Sequence, residues 1–201
     1  MEDDPTLSAY DGKTLLGSYA FDDEGVAAQK VSLIDKGELV NYLIGREPIR
    51  DFSQSNGHGR AAPGQVTSPS IGNLIVESSE ALSPEQLKAK LIDMSRDAGK
   101  AYGYFVDTLG GRDVPRLLYR VYVSDGHLEL VRGAEFDELD LRSLRNDLVA
   151  AGNDAQVSNR QGAIPTTVIT PSILFDELEV KRTEAKNLKL PEYPAPQPHA
   201  Q

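Results

Sequence analysis

The sequence predicts an α+β domain: a mainly antiparallel, barrel-like β-sheet core under two covering helices. Short apolar or alternating runs bounded by Gly, Pro, Asn and Asp recur along most of the chain, which is the mark of strands and turns. The stretch "LSPEQLKAKLIDMSRDAG" instead places its apolar residues at helical spacing. Near the start, "LIDKGELV" has the form of two strands joined by a tight glycine turn.

Taken in order, "GSYAFDDEG" offers a short strand ending at Phe21. Residues 31–34 and 39–44 read as two strands joined at Asp35-Lys36-Gly37, where Gly37 can take the positive φ that a hairpin turn needs. The glycine-rich segment 55–72, with Pro63 and Pro69, should be loop, and "NLIVES" the next strand. The helix opens at Ser83, which can cap the amide of Gln86 while Gln86 reaches back; Pro84 takes the first helical position. Leu87, Leu91, Met94 and Ala98 then share a face that reads as core packing, and Gly99 ends the helix. "AYGYFVDTL", "RLLYRVYV" and "HLELVRG" are strands, the last two around Ser124-Asp125-Gly126. Tyr119, Val121 and Val123 alternate against Leu118, Arg120 and Tyr122, as on a strand with one wetter face. A second helix is expected from Leu141 to Ala151, capped by Asp140, with Leu141, Leu144 and Leu148 inward and Gly152 as its stop. "IPTTVITPSILFDELEVKR" supplies closing strands broken at Pro171. Residues 1–185 thus read as one domain, and 186–201 as a proline-rich tail.

Composition removes several functions. The 201 residues suffice for a sizeable core. No apolar run is long enough to span a bilayer, and the start has neither the basic flank nor the apolar centre of a signal peptide, so the chain reads as cytoplasmic, with no membrane partner. With no cysteine, the chain can form neither a disulfide, a thiolate zinc site nor a cysteine nucleophile. A formal charge of -10 opposes direct contact with nucleic acid, whose affinity depends on Lys and Arg.

The inventory for chemistry is thin. His58, His127 and His199 show no metal-ligand spacing, so no residue of this chain is assigned to a metal or to catalysis. Asp22-Asp23-Glu24 before Gly25 reads first as a fixed turn, one acid holding Arg46 or Arg60 in an ion pair, and second as a direct participant. In "SNGHGRAAPG", Gly57, Gly59 and Gly64 allow close backbone approach to a strand or an extended ligand, which His58 and Arg60 could meet. Composition alone favours a plain loop there.

The stretches "DDPTL", "SYAFDDEGVAAQKVSLIDKGELVNYLIGRE", "SNGHGRAAPG", "PSIGNLIVE" and "PTTVITPSILFDELEV" resemble, in order and over nearly the whole chain, the C-terminal part of the TldD/PmbA family, the "modulator of DNA gyrase" proteins. Members are zinc metallopeptidases that cleave unstructured peptides, including leader-bearing precursors, or the non-catalytic partners of such enzymes, in homodimers or heterodimers with a paralogue. The resemblance implies a strand-rich C-terminal domain. It places the zinc-binding His-Glu-x-x-x-His helix just before the segment resembling "DDPTL", so that this chain reads as a fragment without that helix and inactive alone. It also places a late cysteine ligand of many members near "AQVSNRQGAIPTT", where Ser158 and Asn159 stand and are poor zinc ligands. It further implies that Ser55, Asn56, Gly57, His58, Gly59 and Arg60 line or shape a peptide channel, with Asp22, Asp23, Glu24 and Arg46 close by. Two roles follow as expectations: a domain walling the peptide channel of a metallopeptidase, or an assembly domain of its non-catalytic partner.

Overall fold

A computed structural model describes residues 1–47, 49–109, 115–136 and 147–182. They fall into two compact units, one built from residues 1–90 and 148–175, the other from the described residues of 91–147 and from 176 onward. The proline-rich tail lies outside the described residues.

The first unit is organised by a five-stranded sheet whose order is Gln156–Arg160, Thr166–Thr170, Asn73–Ile75, Glu2–Asp3, Val31–Ser32. All pairs are antiparallel except Thr166–Thr170 with Asn73–Ile75, which runs parallel. Register explains the core. Val157 lies opposite Ile169 and Ile169 opposite Ile75, so one apolar row crosses three strands. Leu15 completes the buried cluster, with Leu7, Tyr10 and Ala155 packed against it. Side chains two residues along a strand share a face, so a second row, Asn159–Thr167–Asn73, lies beside the apolar one.

That polar row clamps the N-terminal loops. Thr167 Oγ1 accepts the N–H of Gly17 at 3.1 Å and donates to Asn159 Oδ1 at 2.7 Å. Asn159 Oδ1 also accepts the N–H of Leu16, and its amide donates to Thr14 O at 2.8 Å. Asn73 donates to the carbonyls of Asp4 and Leu7, each at 2.9 Å. The crossing is tight enough that a Cβ on Gly17 would come within 2.7 Å of Asn73 Oδ1.

The expected hairpin forms between Ile34–Asp35 and Glu38–Leu39, with Lys36 at φ 49° and Gly37 at φ 85°, the left-handed pair a two-residue hairpin turn requires. Its second arm is shorter than expected, and no strand continues over 40–44. Of the expected second helix, residues 141–146 lie outside the described residues, and its end is strand instead: Leu148–Ala151 runs antiparallel to Ile173–Phe175. Non-local partners outweigh helical propensity there. Gly152 N–H donates to Ser172 O at 2.7 Å, and Leu82 N–H to Ala151 O at 2.9 Å.

The helix Pro84–Asp97 forms as read, with the cap made reciprocally. Gln86 N–H donates to Ser83 Oγ at 3.3 Å, and Ser83 N–H to Gln86 Oε1 at 2.8 Å. In the second unit, Tyr102–Leu109, Pro115–Tyr122 and Leu128–Val131 form an antiparallel three-stranded sheet. Leu118 and Val121 are both buried although they point to opposite faces, so neither face is simply wet. The reason is visible at Gly103, opposite Val121, where a Cβ would press on Leu91 Cδ1 at 2.7 Å: the helix lies against that side.

Candidate functional site

The acidic turn and the glycine loop, 30 residues apart in sequence, meet in the first unit. Asp22 is buried, and its carboxylate accepts three backbone N–H groups: Glu24 at 3.0 Å and Val26 at 2.8 Å within its own turn, and Gly59 at 2.9 Å across the gap. Asp23 accepts the N–H of Ala61 at 2.7 Å and forms an ion pair with Arg60 Nε at 3.2 Å. Glu24 accepts the N–H of Arg46. Each acid therefore ties a different point of segment 45–61 to the turn. Of the two arginines considered for an ion pair, Arg60 pairs through its side chain, whereas Arg46 meets an acid through its backbone.

Glycines make room for these ties. A Cβ on Gly45 would lie 2.8 Å from Glu24 Oε2, and one on Gly59 2.7 Å from Glu24 Cδ. Gly57 has φ 75°, which L side chains seldom adopt, and a Cβ there would meet Ala27 C at 2.8 Å. Its carbonyl accepts the Tyr19 hydroxyl at 2.9 Å, and the Tyr19 ring carries the Arg60 guanidinium 4.2 Å above its centroid. Burial pushes the Tyr19 phenol up to about 12, against the opposing pull of Arg60, with Asp3 and Asp22 adding to the rise.

The start of the loop is equally fixed. Ser55 donates to Ile44 O at 3.0 Å and accepts the N–H of Gly57 at 3.1 Å. Asn56 Oδ1 accepts Ile44 N–H, and its amide donates to Tyr42 O, each at 2.8 Å. His58 is fully buried, its Nδ1 3.0 Å from both Asn56 O and Asn56 Oδ1, its Nε2 3.1 Å from Asp3 Oδ1. Both Asp3 oxygens accept the N–H of Gly72, at 3.0 and 3.1 Å.

All six loop residues and the neighbouring acids thus converge, and Gly57, His58 and Gly59 are buried rather than presented outward. Arg60 keeps some exposure, with 12% of its side chain accessible. Sequence reasoning missed Asp3, Gly72, Thr167 and Asn73, and met Asn159 only as a poor zinc ligand, not as part of the row Asn159–Thr167–Asn73. The only signal for Asp3 was a carboxylate at the start of a chain segment that pairs as a strand.

Among the described residues no three His, Cys, Asp or Glu side chains come together as a metal site. The donors explain why. His58 has both nitrogens engaged, His127 sits on an exposed turn with Nδ1 2.6 Å from Asp125, and Asn159 spends its amide on three partners.

Residues 1–182 match the family model described as the PmbA/TldA metallopeptidase C-terminal domain. The chain belongs to this family. A metalloprotease of Archaeoglobus fulgidus is 28% identical over 152 residues, covering 72% of this chain and 32% of that protein. The crystal structure of TldE from Thermococcus kodakarensis superposes with a TM-score of 0.59 at 17% identity, covering 89% of this chain and 38% of that one, which supports the α+β fold. The chain spans about a third of the length of the curated relative it matches. The metal that the family description implies does not fit the donors described here.

Proposed function

We propose that this chain is the C-terminal domain of a TldD/PmbA-like metallopeptidase that acts on unstructured peptides. It forms part of the wall of the peptide path and of the surface joining a homodimer or a heterodimer with a paralogue, in the cytoplasm. The match of residues 1–182 to a metallopeptidase C-terminal domain carries this reading. Zinc would supply the hydrolytic chemistry in the full-length protein, and none of the residues described here is assigned to hold it. In this reading Ser55, Asn56, Gly57, His58 and Gly59 shape the path, and Arg60, stacked on Tyr19 and braced by Asp23, offers a guanidinium to a peptide carbonyl or carboxylate; the fixed loop and the part-exposed Arg60 support it.

The test is affinity of the full-length protein for an unstructured peptide. Arg60→Gln should weaken binding roughly tenfold or more, the size of a lost charge-assisted hydrogen bond. Unchanged binding and turnover in a folded variant would remove Arg60 from the path. A second reading, the assembly domain of a non-catalytic partner, is favoured by one observation: Asn159, near the place the resemblance gives to a late cysteine ligand, is committed to Thr14, Leu16 and Thr167. Stoichiometric zinc in the full-length protein decides against that reading, and its absence decides for it.

A further inference from the structure

Asp3 and His58 are both fully buried, their side chains 0% exposed, and the proposed activity does not use them as a pair. We infer that His58 is a positioning residue, closed to metal and solvent, that locks the strand Glu2–Asp3 to the glycine loop through Asp3.

The hydrogen positions follow from the partners. Asn56 cannot be turned round, because its Oδ1 accepts Ile44 N–H while its Nδ2 donates to Tyr42 O. His58 Nδ1 therefore faces two acceptors, Asn56 O and Asn56 Oδ1, and carries a hydrogen. On the far side, Nε2 meets the Asp3 carboxylate, so a hydrogen lies on the Nε2···Oδ1 line. Neither nitrogen keeps a lone pair directed at open space, so a metal could bind only by breaking one of these contacts.

Asp3 extends the lock. It sits between two strands, its Cα partners being Val31 and Leu74, and its oxygens take the N–H of Gly72. Three separate stretches, 2–3, 56–58 and 72, thus share one carboxylate–imidazole contact. Two residues beyond His58, Arg60 is stacked on Tyr19 and bound to Asp23. The bearing on peptide rests on the reading that loop 55–60 shapes the path; the lock does not.

Long-range 1H–15N spectra of the labelled full chain test this, with the exposed ring of His127 as reference. The expected result is a His58 ring with hydrogen on Nδ1, slow exchange in D2O, and signals unmoved by excess zinc. Asp3→Asn should retain this pattern, since the amide oxygen can still accept Gly72 N–H while the NH2 donates to Nε2. Asp3→Leu should lose it, either by freeing the ring or by failing to fold. A zinc-dependent shift of the His58 signals, solvent-like exchange, an unchanged ring in Asp3→Leu, or loss of the pattern in a folded Asp3→Asn would each overturn the assignment. Failure of the wild-type full-length protein to bind peptide would overturn the proposed function while leaving the ring result standing.

Discussion

Asp22, Asp3 and His58, at the acidic turn and glycine loop of the first unit, bond inward, mostly to backbone; the polar groups on the face of the three-stranded sheet in the second unit bond to one another at the surface. Asp22 is 5% exposed and each of its ties closes on a main-chain N–H. On the sheet, the Tyr122 hydroxyl donates to Glu129 at 2.6 Å, Arg120 reaches Glu129 at 3.4 Å and lies over the Tyr102 ring, and His127 stacks on Tyr122. The Glu129 and His127 side chains are about half exposed and keep water as an alternative partner. A buried tie is costly to remove because the group left behind has no other partner, whereas an exposed tie is replaced by solvent.

The largest test of that contrast is Asp22→Ala. It leaves the N–H groups of Glu24, Val26 and Gly59 without their acceptor. The Gly59 N–H is buried and the other two are part-buried; a buried orphan costs about 1–3 kcal/mol, so a loss of ~2 kcal/mol or more is expected, read as the shift in the urea midpoint. A loss below ~1 kcal/mol would mean that water reaches these N–H groups and that the inward ties of the first unit are no different from surface ones.

What could be read from the sequence follows the same division between local and distant partners. The cap at Ser83, the turn at Gly37 and the break at Pro171 depend on neighbours a few residues away, and all were legible. The strand Leu148–Ala151 was not, because its partners Ile173–Phe175 and Leu82 are distant and its leucine and alanines suit a helix equally well. At the site, the chemistry of "DDEG" and "SNGHG" drew notice, but nothing local says that three consecutive acids bond to residues 46, 59, 60 and 61. Asp3 could not be picked out, and Asn159 was noticed only as a poor zinc ligand, since a buried carboxylate and a saturated amide look like any other polar residue until the register is known.

Ser83→Ala sharpens the comparison, because Ser83 belongs to the first unit yet bonds at its surface. Loss of an N-cap side chain costs about 1 kcal/mol. If burial rather than location sets the penalty, this variant should fall well short of Asp22→Ala in the same urea titration. Equal losses would show that the first unit responds as a whole to any weakened tie.

The smallest effect is expected at Glu129→Gln, where stability should stay within error while titration changes. The hydrogen bond from Tyr122 holds the Glu129 carboxyl below its ordinary range, and the same bond, helped by burial, holds the Tyr122 phenol above its own. Because the folded phenol titrates above the unfolded one, its contribution is fully present below the ordinary tyrosine value, near 10, and is lost as pH rises through the raised one. In Glu129→Gln the Tyr122 ring should therefore ionise at lower pH than in the wild type, followed through its 13Cζ shift, with no change in midpoint near neutrality. A marked loss of stability at neutral pH would show that this exposed network is as closely tied to the fold as Asp22, and the contrast between the two regions would fail.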